Sequence, residues 1–262
     1  MSKVKGPLEV TAPKGFDDGP VLEVVEMTKR FGGLTVFEKI SFSLAREETL
    51  GIIGPNGAGK TTLINVLCGS TSPTSGAVRL RGREIGGVPL HEISRLGLMR
   101  SFQQTNIFGS VSVRENLLFA LEFSGRRGLD EGLEGMLERY GLAERLEERA
   151  DSLPYGLQKM LGLVLVYACR PTVLLLDEPA AGLEARERAN IDDFIQRARE
   201  QLKCSVLIVE HDIDLIKRLC GRAIVLDGGR LIADGTPSDV LQRPDVLRAY
   251  LGDFEEATDA QN

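Results

Sequence analysis

The chain has 262 residues, 42% hydrophobic and 27% charged, and its 32 basic and 38 acidic side chains leave a net charge of −6. This is the composition of a globular protein, which excludes a disordered or fibrous chain, and the length suits one large domain or a domain with a subdomain. The acidic balance argues against DNA or an anionic membrane held by surface charge alone.

Residues 1–20 mix glycine, proline and both charges without an apolar core, so they read as a loose arm and not as a secretory signal. From Val21, VLEVVEM alternates as a strand does, and ISFSL (Ile40 to Leu44) alternates again. TLGII (Thr49 to Ile53) is a short apolar strand, Lys60 to Cys68 reads as a helix, and GAVRL (Gly76 to Leu80) as another strand. From His91 to about Tyr167 the spacing turns helical, in VRENLLFALEF, LDEGLEGMLERYG and AERLEERA. This predicts a helical subdomain over about 91–167, inserted into a sheet domain. The last third alternates TVLLLD (Thr172 to Asp177), a helix from about Ala185 to Gln201, SVLIVE (Ser205 to Glu210), a helix near Ile213 to Leu219, and AIVLD (Ala223 to Asp227). Such alternation predicts a parallel sheet with crossover helices. The domain proper spans 21–252, and the acidic segment 253–262 reads as a frayed tail.

The longest apolar run, Leu161 to Cys169, is far short of the roughly 20 residues that a membrane helix needs. The four cysteines, Cys68, Cys169, Cys204 and Cys220, form no C-x-x-C pair and read as reduced thiols, not as a disulfide frame or zinc site.

Two segments carry chemistry by themselves. Gly54-Pro55-Asn56-Gly57-Ala58-Gly59-Lys60-Thr61 fits G-x-x-x-x-G-K-S/T, between an apolar strand and a helix. Its glycines let backbone N–H groups turn inward to cradle phosphate oxygens at a helix N-terminus. Lys60 would reach the β and γ phosphates, the Thr61 hydroxyl would ligate Mg²⁺, and Thr62 completes the nucleotide-binding stretch. The second segment, VLLLDEP, sets Asp177 and Glu178 at the end of an apolar strand, on the sheet edge where ligands sit. There Asp177 would hold Mg²⁺ through water, and Glu178 is placed to take a proton from an attacking water.

The order of these and later motifs resembles the ATPase subunit of an ABC transporter, over about Val21 to Gly252. Arg-Ser-Phe-Gln103 resembles that family's glutamine loop. LPYGL (Leu153, Pro154, Tyr155, Gly156, Leu157) stands where the LSGGQ signature belongs, AAGLE (Ala180 to Glu184) resembles the D-loop, and VEHD puts His211 in the switch-histidine position. Phe31, in KRFGG, matches the aromatic that stacks on adenine. FGGL, MRSFQ, VRENLL, DEPAAGL, EHDIDLI and ADGTP narrow the resemblance to the ATPases of branched-chain amino-acid importers of the LivG type.

The resemblance implies an α/β fold of the P-loop NTPase, ABC-ATPase type, with a mixed or parallel sheet core and an inserted helical subdomain. It implies ATP and Mg²⁺ as cofactors. Gln103 would sense Mg²⁺ and the attacking water, His211 would contact the γ-phosphate, and the signature would complete the site of a second ATPase subunit. It further implies two separate permease chains and, through them, an extracytoplasmic solute-binding protein, with the ATPase at the cytoplasmic face of the membrane. Two departures stand out. Pro154 replaces the signature serine, lacking both hydroxyl and N–H, and Leu157 replaces the glutamine. Alternatives are an exporter ATPase of the lipopolysaccharide type, a soluble ABC ATPase outside transport, and a regulatory ATPase. The intact Lys60, Asp177, Glu178 and His211 count against the last.

Overall fold

The computed structural model describes residues 19–101 and 107–250. The expected arm, apart from Gly19 and Pro20, and the expected tail lie outside the described residues, and so does Gln103. In chain order the elements are β1 (Leu22–Phe31), β2 (Leu34–Leu44), β3 (Thr49–Ile53), α1 (Lys60–Leu67), β4 (Ser75–Leu80), β5 (Arg83–Glu84), α2 (Leu90–Arg95) and β6 (Leu98–Ser101). Next come α3 (Val113–Phe123), α4 (Glu131–Arg139), α5 (Tyr155–Ala168), β7 (Val173–Asp177), α6 (Ala185–Leu202), β8 (Ser205–Val209) and α7 (Ile213–Leu219). The series ends with β9 (Arg222–Asp227), β10 (Arg230–Gly235) and α8 (Pro237–Leu241).

The strands form two sheets. A four-stranded antiparallel sheet has the order β2-β1-β4-β5, and a six-stranded one has the order β10-β9-β3-β8-β7-β6. In the larger sheet only β9 and β10 are antiparallel. Every residue of β3, β7 and β8 is buried, as expected of parallel strands covered on both faces. Strand alternation divides the core in two. Val173 and Leu175 of β7 and Leu207 and Val209 of β8 face Phe37, Leu63 and Ile64. Leu174 and Leu176, with Val206 and Ile208, face α5 and α6, where Phe194 is fully buried. Fully burying a side chain of this size is worth about 1.5–3 kcal/mol relative to exposure. Gly51 lets α7 cross β3, since a Cβ there would lie 2.9 Å from Ile216 Cδ1.

The helical stretch has clear local causes. Ser112 and Glu115 form a reciprocal capping box that starts α3, and the Asp130 carboxylate caps α4. Asp193 of α6 then clamps this part to the sheet domain. Its carboxylate accepts from Arg139 Nε at 2.5 Å, Tyr140 Oη at 2.8 Å and Arg197 Nε at 2.9 Å. These bonds lower the Asp193 carboxyl pKa to about 2.

Two differences from the sequence reading concern boundaries. The range 91–167 includes β6, which pairs in parallel with β7 at the edge of the main sheet, so the helical part begins only after Ser101. Four residues, LMRS, are too few to display a period. The ADGTP stretch, read only as a motif, closes β10 and opens α8, with Thr236 capping that helix.

Candidate functional site

Strand order assembles the site. Along the carboxyl edge of the six-stranded sheet, β3 leads into Gly54, its neighbour β8 into Glu210 and His211, and β7 ends in Asp177 followed by Glu178. Ile52 pairs with Val209, and Val209 pairs with Asp177. Backbone hydrogen bonds thus set the spacing of the phosphate loop, the histidine and the acid pair. Ligands of open α/β sheets collect at this edge.

The loop from Gly54 to Gly59 fits a phosphate. Gly54 has φ 150°, and a Cβ on it would lie 2.0 Å from the Leu226 carbonyl oxygen, so only glycine passes there. Gly59, at φ 95°, is the N-cap of α1, whose first-turn N–H groups have no partners within the helix. Pro55 and Ala58 are buried, while Asn56 and Gly57 are exposed. Lys60 is buried, and its Nζ donates to the Gly54 and Pro55 carbonyls at 2.6 and 2.8 Å. Thr61 is exposed and Thr62 half-buried at the start of α1. The Thr61 hydroxyl and the Asp177 carboxylate are the hard oxygen donors that Mg²⁺ prefers. The described residues contain no cluster of three or more His, Cys, Asp or Glu that could hold a metal.

Asp177 is buried and paired with Arg100 of β6 at 2.6 Å. Glu178 has φ 47°, a left-handed conformation unusual for a glutamate and costing of order 1–3 kcal/mol. Its N–H donates to the Val209 carbonyl at 2.9 Å, and its own carbonyl accepts from the Ala181 N–H at 3.1 Å. The Glu178 carboxylate lies 3.8 Å from His211 Nδ1. The His211 side chain is 64% exposed, which sets it apart from a histidine packed in a core. Phe31, at the end of β1, is 52% exposed and has Lys29 Nζ 4.4 Å from its ring centroid, so it is not core either.

The LPYGL segment opens α5. Leu153 is buried, Pro154 is the exposed N-cap and offers no side-chain cap, and Tyr155 is 49% exposed. Gly156 is buried where a Cβ would meet Glu187 Oε1 at 2.0 Å, and Leu157 packs against the larger core.

Three further residues border the site without having been singled out from the sequence. Glu210 is buried, which raises its carboxyl pKa, and it accepts from the N–H groups of Ala180 and His211 at 3.1 and 3.2 Å. Its only sequence signal was an acid closing the apolar run SVLIV. Arg100 stood in the quoted motif, but its partner is distant in sequence. Lys159 is buried on α5 with no signal beyond a cation in an apolar helix.

The family described as ABC transporter matches residues 37–181, and that described as Branched-chain amino acid ATP-binding cassette transporter matches residues 230–256. The High-affinity branched-chain amino acid transport ATP-binding protein LivG of Salmonella typhimurium is 39% identical over 251 residues, covering 89% of this chain and 98% of that protein. The corresponding protein BraF of Pseudomonas aeruginosa is 38% identical with the same coverage. Among solved structures, the ADP conformation of MJ1267, an ATP-binding cassette of an ABC transporter, superposes with a TM-score of 0.77 at 26% identity, covering 89% of this chain and 99% of that one.

Proposed function

The chain belongs to the ABC transporter family, and from that premise we propose that it is the ATP-hydrolysing subunit of an importer for branched-chain amino acids. The observation that carries the hydrolytic reading is the convergence of Gly54–Thr61, Asp177–Glu178 and His211 on three adjacent strand ends. The match of residues 230–256 to the branched-chain amino-acid cassettes, and the likeness to LivG and BraF, support the substrate class.

In this reading the phosphate loop and Lys60 hold the nucleotide phosphates, and Phe31 stacks on adenine. Thr61 and Asp177 hold Mg²⁺, which neutralises phosphate charge when bound. Glu178 takes the proton of the attacking water, and His211 is oriented toward the γ-phosphate. Gln103 senses the state of the site. Leu153 to Leu157 face the nucleotide of a second ATPase subunit, so that two subunits enclose two ATP molecules, and hydrolysis reopens the pair.

No helix among the described residues is long and apolar enough to cross a membrane. The link to the bilayer is therefore assigned to two permease chains, which receive solute from an extracytoplasmic binding protein, with this subunit on the cytoplasmic side. An apolar groove of about 410 Å³ between β6 and the helices α3 and α5 suits a permease segment, with Phe119 and Phe123 exposed along it.

The test is reconstitution of the purified complex in vesicles with its binding protein. Leucine, isoleucine or valine should stimulate ATP hydrolysis, and Glu178→Gln should abolish the stimulated rate while preserving ATP binding. Stimulation by a different solute class alone would refute the substrate reading. Turnover within a few-fold of wild type in Glu178→Gln would remove Glu178 from the base role.

A further inference from the structure

We propose that Lys159 is a positioning residue for hydrolysis, its ammonium fixing the turn that follows Glu178 and so the place of the Glu178 carboxylate. The proposal rests on the reading of Glu178 as the base. Lys159 lies in the second turn of α5 and is 7% exposed, although it carries a charge. Its Nζ donates to the Ala181 carbonyl at 2.6 Å and to the Pro179 carbonyl at 3.4 Å. It therefore grips the 178–181 turn on both sides of Ala180. From the opposite direction, Glu210 of the β8 end accepts the Ala180 N–H at 3.1 Å. The turn is thus held between a buried cation and a buried anion.

The same lysine joins this turn to the start of α5. Tyr155, one helical turn earlier, has its ring centroid 5.6 Å from Nζ. A Cβ at Gly182 would lie 3.4 Å from that ring. Burying an ammonium is costly, so an aliphatic side chain would serve packing alone better. Burial indeed pushes the Lys159 pKa down, and the facing carboxylates of Glu210 and Glu178 oppose that shift. What the charge supplies in return is two carbonyl contacts beside Glu178, whose left-handed backbone must be held against its preference. Lys159 and Pro179 also line the apolar groove, so a segment seated there would touch the same grip.

The experiment measures steady-state ATP hydrolysis, ATP affinity by calorimetry and thermal unfolding for the full chain and for Lys159→Met, Lys159→Arg and Glu178→Gln. Lys159→Met should lower kcat roughly ten- to a hundredfold, the loss expected for hydrogen bonds from a charged donor, with KM and ATP affinity within about twofold. Lys159→Arg should restore most of kcat, because it returns a cation to the two carbonyls. A kcat within twofold of wild type in Lys159→Met, with Glu178→Gln inactive, would overturn the positioning role and leave the base reading intact. A KM rising in step with the loss would overturn it in favour of nucleotide binding. Turnover surviving Glu178→Gln would overturn the base reading, and with it the object that Lys159 positions. If Lys159→Met does not fold, Lys159→Gln, which keeps a donor without the charge, is judged by the same criteria.

Discussion

Arg100 Nη2 lies 2.6 Å from the Asp177 carboxylate, and both side chains are almost wholly buried, at 7% and 2% exposure. Arg100 Nη1 also donates to Asn65 Oδ1 of α1 at 2.5 Å, so one guanidinium ties the helix after the phosphate loop to the acid of the neighbouring motif. Removing one partner of such a buried pair leaves an uncompensated charge and typically costs about 3–5 kcal/mol. Arg100→Leu should destabilise the chain by about that much in urea unfolding. The double variant with Asp177→Asn should lose less than the sum of the singles, with a coupling of about 0.5–3 kcal/mol. Strict additivity would show that the pair is not coupled.

Lys60 offers a second test. Its ammonium sits on the Gly54 and Pro55 carbonyls, within the loop assigned to phosphate. Lys60→Ala should weaken ATP binding by roughly ten- to a hundredfold, the range of about 1.5–3 kcal/mol for hydrogen bonds to charged groups. Calorimetry with ATP reads this directly, and unchanged affinity would contradict the assignment.

The signature departure predicts asymmetry between two sites in a pair of unlike subunits. LPYGL would complete the partner's site, where Pro154 has no donor to offer. The site built on Lys60 and Glu178 should then carry most of the turnover. Pro154 is an exposed N-cap without a side-chain cap, so Pro154→Ser supplies both a hydroxyl and a helix cap. It should raise thermal stability by up to about 1 kcal/mol and raise turnover in a complex whose own-site base is disabled by Glu178→Gln. If disabling the partner's general base abolishes turnover while Glu178→Gln leaves most of it, the asymmetry runs the other way.

Asp193 should contribute to acid sensitivity. Its pKa is lowered to about 2, first by Arg139 and then by Tyr140 and Arg197. A carboxyl whose folded pKa lies below its unfolded value stabilises the fold above the unfolded value, near 3.9, and loses that contribution as pH falls toward about 2. With its side chain 26% exposed, the contribution is about 1–2 kcal/mol after allowance for solvent screening. Asp193→Asn should cost that amount at neutral pH, measured by urea unfolding, and should flatten the stability curve between pH 4 and 2.

The sequence displayed the parts of this site that depend on local pattern. VLLLD and SVLIV read as buried strands because both faces are covered, and the phosphate loop declared itself through its glycines and lysine. The relations across the chain were not legible. Arg100 and Asp177 are 77 residues apart, and their pairing follows from β6 joining the sheet beside β7, through a strand too short to reveal its period. Lys159 looked like a lone cation in an apolar helix because its partners are main-chain carbonyls, which carry no side-chain signature. Glu210 was masked by the more conspicuous His211 beside it.

With Glu178 read as the base, its left-handed backbone sets heat resistance against turnover at a single position. A glycine or asparagine accepts that geometry more readily than glutamate does, so either should make the folded chain harder to melt while removing the carboxylate. A screen that rewards survival at high temperature alone would therefore enrich inactive proteins at residue 178. Retention of the acid there is a requirement that only selection for work done can impose.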